Sequence, residues 1–220
     1  MAQFWNNKKL HDKLHAQELF SKPVDAFINI VKENQKRGMK VAEVGVWCGE
    51  TTCHYAHIVQ NNDGIVYAID WFKGTDATGC PGYTPKTFAA RNFDENNVDK
   101  ARLLMEKNLK DYNVADCVDI LQGISHEIAK EIPDKSLDIC FIDADHSYES
   151  VYKDIIAYFN KVKVGGILCG HDYNSGHPGV MRATHELIGI DNITIVPDPL
   201  GNLAELWLVN ITESFRLCIN

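Results

Sequence analysis

From about Lys40 onward, short apolar runs alternate with stretches of helical spacing. The runs are VAEVGV, IVYAID, CVDIL, LDICFID, GGILCG, ITIVPD and AELWLV. Runs of this length, rich in branched residues and bounded by polar or turn residues, read as buried strands. The first five are separated by helical segments, which predicts a parallel sheet covered on both faces. The last two follow each other across a short turn at Asp198–Asn202, which predicts an antiparallel hairpin at one edge. The expected class is α/β: a Rossmann-like, doubly wound, mostly parallel seven-stranded sheet with a C-terminal antiparallel hairpin and N-terminal helices.

Residues from about 8 to 37 carry the helical period. Leu10, Leu14, Leu19 and Phe20 share one face, and Val24, Phe27, Ile28 and Val31 another. Pro23 suits the start of the second helix and Gly38 its end. This divides the chain into a helical extension at 1–38, a brace on the core or a lid over it, and a main domain at 39–220. One segment breaks the alternation. Residues 71–100 are dense in glycine, proline and aromatics, including Trp71, Phe72, Tyr83 and Phe88. Loops that long are often lids or binding loops; the alternative is a disordered surface insertion, which the four aromatics disfavour.

Composition narrows the classes. A chain of 220 residues with 45% hydrophobic and 24% charged content suits one folded unit without metal or disulfide staples. The net charge of −8 opposes phosphate backbones, against general nucleic-acid binding. The basic pairs Lys161/Lys163 and Lys8/Lys9 read as solvated surface. Seven cysteines without a C-x-x-C pair, several inside apolar runs, fit a reducing cytoplasm better than secretion. The first residues lack a signal-peptide core, and no run reaches membrane-spanning length. The expectation is a cytoplasmic protein with a small-molecule partner and no membrane partner; a homo-oligomer is compatible with this composition.

The candidate chemistry begins at VAEVGVWCGETT, which holds Glu43, Gly45, Gly49, Thr51 and Thr52. It follows a predicted strand and opens a predicted helix, whose N-terminus presents free N–H groups. Glycine permits a tight turn and close approach of a ligand. A third glycine of the dinucleotide fingerprint is missing. Glu43 would repel a pyrophosphate but suits a cationic ligand. Asp70 closes the next strand, where an acid accepts ribose hydroxyls in doubly wound folds; capping the strand is its simpler role.

This pattern, E-x-G-x-x-x-G with an acid closing the second strand, resembles class I S-adenosylmethionine-dependent methyltransferases. The resemblance implies that Glu43, the Gly45–Gly49 turn and Thr51 meet the methionine end of S-adenosyl-L-methionine. It implies that Asp70 holds the ribose and that Gly123 and Ser125 flank the adenine.

The richest polar cluster is FIDADHSYESVYKDI. Asp143, Asp145 and His146 follow an apolar strand, and His171 and Asp172 end the next. Neighbouring parallel strands lie about 4.8 Å apart, so these groups converge on the crevice of Gly45 and Asp70. Carboxylates and imidazole hold Mg²⁺ or another divalent cation, which would lower the pKa of a substrate hydroxyl. A histidine could instead take the proton directly. Asp143, His146 and His171 are the catalytic candidates, Asp143, His171 and Asp172 the metal candidates, and Asp143 also borders the cofactor. Asp145 is equally well a cap for the helix beginning near Ser147, His171 a satisfied crevice histidine, and Tyr148 and Tyr152 packing.

The stretch from Asp138 to Tyr173 further resembles O-methyltransferases related to macrocin O-methyltransferase and their cephalosporin-hydroxylase-like relatives. The matching positions are Asp143, His146, Tyr148, Glu149, Asp154, Gly165, Gly166, His171 and Asp172. The resemblance implies metal-assisted methylation of a hydroxyl on a sugar or natural product, with Asp143 and Asp172 as ligands. Catechol-type enzymes usually finish this block with Asp-Asn, whereas this chain has His171–Asp172. Two other readings are an NAD-linked oxidoreductase, disfavoured by the absent third glycine, and a non-catalytic cofactor-binding subunit, disfavoured by the intact acid–histidine cluster.

Overall fold

A computed structural model describes residues 24–72, 98–197, 205–215 and 217–218. Within them the apolar runs become β1 (Lys40–Val44), β2 (Ile65–Asp70), β3 (Val118–Gln122), β4 (Leu137–Ile142), β5 (Val162–Gly170), β6 (Thr194–Val196) and β7 (Leu206–Asn210). They form one sheet in the order β3-β2-β1-β4-β5-β7-β6. The first five pair in parallel. β7 runs antiparallel between β5 and β6, so the second strand of the hairpin lies inside and β6 forms the edge.

Alternation along each strand feeds two cores. Val41, Val66, Ile139, Phe141 and Ile167 point to one face, covered by α1 (Asp25–Glu33), α2 (Glu50–Gln60) and α3 (Val98–Asp111). Ala42, Val44, Ile69, Cys140, Ile142 and Leu168 point to the other, under α4 (Ser125–Ile128), α5 (Tyr148–Phe159) and α6 (Pro178–Ile188). β4, central and buried along its whole length, has no polar-out alternation because both of its faces meet helices. The described cysteines are free thiols, buried except for exposed Cys218.

The N-terminal extension enters this account only from Val24; its first predicted helix lies outside the described residues. α1 is part of the first core: Phe27 stacks on Phe141 at 4.1 Å between centroids and meets Tyr55 edge-on at 5.1 Å. The basic pair Lys161 and Lys163 is ion-paired. Lys161 reaches Asp134 at 2.7 Å, while Lys163 and Lys36 both reach the buried Asp138, at 2.7 and 2.6 Å. Asp138 also accepts the Lys40 amide at 2.8 Å, so it pins the opening of β1 to β4. No described helix is long and apolar enough to cross a membrane.

Strand order reverses between β1 and β4, with β2 beyond one and β5 beyond the other. Ligands of doubly wound sheets bind outside the carboxyl ends at such a switch point. Backbone bonds tie these ends together: Gly45 N to Ile69 O at 2.8 Å, Asp143 N to Val44 O at 2.8 Å, and His171 N to Ile142 O at 3.0 Å.

Phe27→Ala removes a fully buried ring between α1, α2 and β4. It is expected to destabilise the protein by about 3–5 kcal/mol in denaturant unfolding. A loss below about 1 kcal/mol, within the range of a surface change, would show that α1 is not integral to the core.

Candidate active site

The turn after β1 is built on absent side chains. Gly45 has φ +92°, and a Cβ there would lie 2.1 Å from the Asp143 carbonyl oxygen. The ends of β1 and β4 touch only because nothing projects between them. Trp47 also adopts a left-handed conformation, with φ +52°. Gly49, at φ +76°, is the N-cap of α2 and supplies no side-chain cap; a Cβ there would meet Met105 of α3 at 3.0 Å. Buried Asn108 of α3 donates to Cys48 O at 3.0 Å, holding the turn from the far side.

Asp70 braces the same turn. Its Oδ2 accepts the Trp47 amide at 2.8 Å and its Oδ1 the Phe72 amide at 2.7 Å. Burial raises its pKa, opposed by backbone bonds from Phe72 and Trp47. The Val46 and Trp71 amides act on the same carboxylate, so its strand-capping role is met by backbone donors on both sides. Gly123, on the next strand end, donates to Asp70 O at 3.0 Å.

Three residues expected at the cofactor turn their polar groups elsewhere. Glu43 directs its carboxyl inward, where Oε2 accepts from Thr52 Oγ1 at 2.6 Å. Glu43 is only 3% exposed, because residue 43 faces the α2 side of the sheet rather than the crevice. Burial pushes its carboxyl up to about 8, with Thr52 and Tyr55 opposing. Thr51 Oγ1 accepts the Val24 amide at 3.1 Å, which ties the entry of α1 to α2. Ser125 Oγ donates to Asp154 Oδ1 at 2.5 Å, and its carbonyl accepts the Tyr158 hydroxyl at 2.8 Å. The polar groups of these three side chains are bonded within the fold.

Across the crevice the strand-end groups meet as expected. Asp172 Oδ2 lies 2.9 Å from His146 Nε2 and 3.4 Å from His171 Nδ1, while Asp143 Oδ1 lies 3.8 and 3.6 Å from the same nitrogens. Burial alone lowers both imidazoles, but the two carboxylates outweigh it and push His146 up to about 11 and His171 up to about 10. Burial raises both acids, and bonding and charge from the histidines reverse this, leaving Asp143 and Asp172 below the usual carboxylate range. Two carboxylates thus face two imidazoles. The donor atoms of Asp143, His171 and Asp172 lie within 4.8 Å of one another. Two carboxylates and an imidazole this close are a donor set that fits a divalent metal. Asp172 has φ +57°, a left-handed conformation that aspartate tolerates better than most residues.

Asp145 accepts the Ser147 amide at 2.7 Å, and Ser147 is the N-cap of α5, its hydroxyl accepting from Ser150 N at 3.3 Å. Asp145 therefore shapes the turn before the cap. Tyr148 donates to Glu186 at 2.8 Å and lies under Arg182, so it fastens α5 to α6. Of residues 71–100, positions 73–97 lie outside the described residues, and the lid expectation with them.

Asn108 and His177 escape the sequence reading, and Thr52 and Asp154 appear there without a structural role. Thr52 holds Glu43 beneath the glycine turn, and Asn108 holds the turn from α3. Asp154 occupies the apolar face of α5 with Val151, Ile155 and Tyr158, and burial pushes it up to about 7 against the bond from Ser125. His177 lies 3.5 Å from Asp172 Oδ1; a lone loop histidine carries no signal of that role in the sequence.

Glu43 yields a pH test. Its pKa is raised from 4.5 to about 8 on folding, so the unfolded chain ionises first as pH rises and stability falls across that window. Glu43→Gln should gain melting temperature relative to the wild type from pH 4.5 to about 8 and level off above. A difference constant across the series would contradict the burial of an ionisable group.

A methyltransferase-domain family model matches residues 42–173, which contain the glycine turn, Asp70 and the Asp143–Asp172 cluster. No curated protein sequence matches the chain significantly. Among solved structures, the O-methyltransferase NovP is 22% identical, covers 84% of this chain and 76% of its own, and superposes with TM-score 0.60. An O-methyltransferase from Bacillus cereus in complex with SAH is 13% identical over 95% of this chain and 93% of its own, with TM-score 0.65. An rRNA methylase from Streptococcus thermophilus is 12% identical over 88% and 99%, with TM-score 0.58. The chain belongs to the methyltransferase-domain family, with the Rossmann-like fold of the class I S-adenosylmethionine-dependent methyltransferases.

Proposed function

We propose that this protein transfers a methyl group from S-adenosylmethionine to a hydroxyl oxygen of a small molecule of sugar or natural-product type, with a divalent cation at the acid–histidine cluster. The observation that carries this reading is the contact of Gly45 with Asp143, which puts the glycine turn and the Asp143–Asp172 cluster on one crevice. SAH in the Bacillus cereus relative supports the donor. The net charge of −8 and the pairing of Lys161 and Lys163 with acids favour a small acceptor over the RNA named for the Streptococcus relative.

The acceptor oxygen attacks the sulfonium methyl in line. The C–O bond forms, the C–S bond breaks with its electron pair going to sulfur, and the hydroxyl proton passes to a base. Such a displacement needs alignment more than covalent help. Asp70, closing β2, meets the ribose hydroxyls, the Gly45–Gly49 turn admits the methionine end, and Gly123 and the Ser125 backbone border the adenine. Glu43, Thr51 and Ser125 keep those turns in shape. Asp143, His171 and Asp172 would hold the cation, which supplies Lewis acidity that lowers the hydroxyl pKa. His146, near Asp143 and Asp172, would take the hydroxyl proton where no cation ligates its imidazole. The setting is a reducing cytoplasm, consistent with the free buried thiols.

Asp70→Ala should weaken S-adenosylhomocysteine binding by about 1–3 kcal/mol, the loss of a charged hydrogen bond, in calorimetry; unchanged affinity refutes the ribose role. Asp143→Ala should abolish methyl transfer from labelled donor yet leave S-adenosylhomocysteine affinity within a few-fold. A chelator should suppress turnover in the wild type. Full turnover in excess chelator removes the metal and leaves the histidines as unaided bases.

A further inference from the structure

The cluster holds more ligating atoms than one ion on Asp143, His171 and Asp172 uses. Asp172 works on two sides: Oδ2 faces His146 and His171, while Oδ1 faces His177 Nε2 at 3.5 Å. The rings of His146 and His177 stand edge to face with centroids 4.5 Å apart. Ligand atoms of His146, Asp172 and His177 lie within 4.8 Å of one another. The three residues come from different elements: the loop before α5, the end of β5 and the N-cap of α6.

Packing holds them there. A Cβ on Gly179, in the first turn of α6, would lie 2.5 Å from His146 O and 2.6 Å from Tyr148 N, so the two loops press together where the histidines meet. His177 N donates to Asn174 O at 3.0 Å, and Gly176 N to Asn174 Oδ1 at 2.8 Å, which fixes the approach to His177.

We infer that His146, Asp172 and His177 form a nitrogen-rich site for a divalent transition-metal ion of the Zn²⁺ or Co²⁺ kind, sharing Asp172 with the more oxygen-rich Asp143–His171–Asp172 set. Two imidazoles and one carboxylate suit borderline ions. Mg²⁺ prefers oxygen and keeps several waters. Side chains of the three residues are 14–25% exposed, so the remaining positions of the ion open to water or an acceptor hydroxyl. This deepens the proposed function by naming the ion class and adding His177; its role in methylation rests on that reading, while the site itself does not.

The test uses the full chain, freed of metal by chelation and dialysis. Titration with Co²⁺ should give saturable visible bands, displaced by Zn²⁺ and not by the same concentration of Mg²⁺. His177→Gln should weaken Co²⁺ at least about tenfold, a ligand counting for no less than an outer partner, and should alter the bands. His57→Gln, on α2 beside Tyr112, should leave both unchanged. His146→Gln is read in the same way if circular dichroism shows His177→Gln unfolded. Absent bands, bands unchanged by the substitution, or equal displacement by Mg²⁺ overturn the site. S-adenosylhomocysteine calorimetry on the same sample keeps the readings apart: binding without Co²⁺ bands overturns the metal site alone, and Co²⁺ bands without binding support it while removing the donor reading.

Discussion

The contact between the Gly45 and Asp143 backbones is the constraint on which the crevice depends. The space where a Gly45 side chain would stand is filled by the Asp143 carbonyl, 2.1 Å from an ideal Cβ. That closeness lets the turn after β1 and the loop after β4 meet at the point where strand order reverses. The glycine turn on one side and the Asp143–Asp172 cluster on the other then share one opening. The in-line transfer proposed for this protein needs this arrangement, because the acceptor oxygen must approach the methyl from the side opposite sulfur.

Around that contact the protein places polar groups in its interior. Glu43 Oε2 with Thr52, Asn108 Nδ2 with Cys48, and Asp154 Oδ1 with Ser125 are each buried polar atoms with a hydrogen-bond partner. Burying such groups is unfavourable unless they are bonded, and bonded they fix loop geometry that apolar packing leaves loose. They lie beneath the turns of the crevice: under the glycine turn, behind it on α3, and under the Ser125 loop. On the opposite wall Asp172 turns the chain at φ +57°.

Much of this was legible in the residues. The sheet, its hairpin and the strand-end acids follow from apolar period and position, because a strand's end in a parallel sheet determines which crevice its next residue faces. Asp70, Asp143, His146, His171 and Asp172 therefore fall where expected. Side-chain direction within the turns was less legible. Glu43 lies two residues before Gly45, and its facing depends on strand parity, which sends it to the α2 side and into the core. Thr51 and Ser125 bond groups 27 and 29 positions away, which linear spacing does not reveal. His177 joins the cluster through the close packing at Gly179, a tertiary contact with no mark in its own neighbourhood.

The most direct measurement is a calorimetric titration of S-adenosylhomocysteine into the wild type and into Gly45→Ala, with folding of both confirmed by circular dichroism. An alanine at φ +92° against the Asp143 carbonyl must push the two loops apart. The account predicts one-to-one binding by the wild type and affinity reduced at least about tenfold, or about 1.4 kcal/mol, in the folded variant. Equal affinity in the two, or no binding by the wild type, would contradict it.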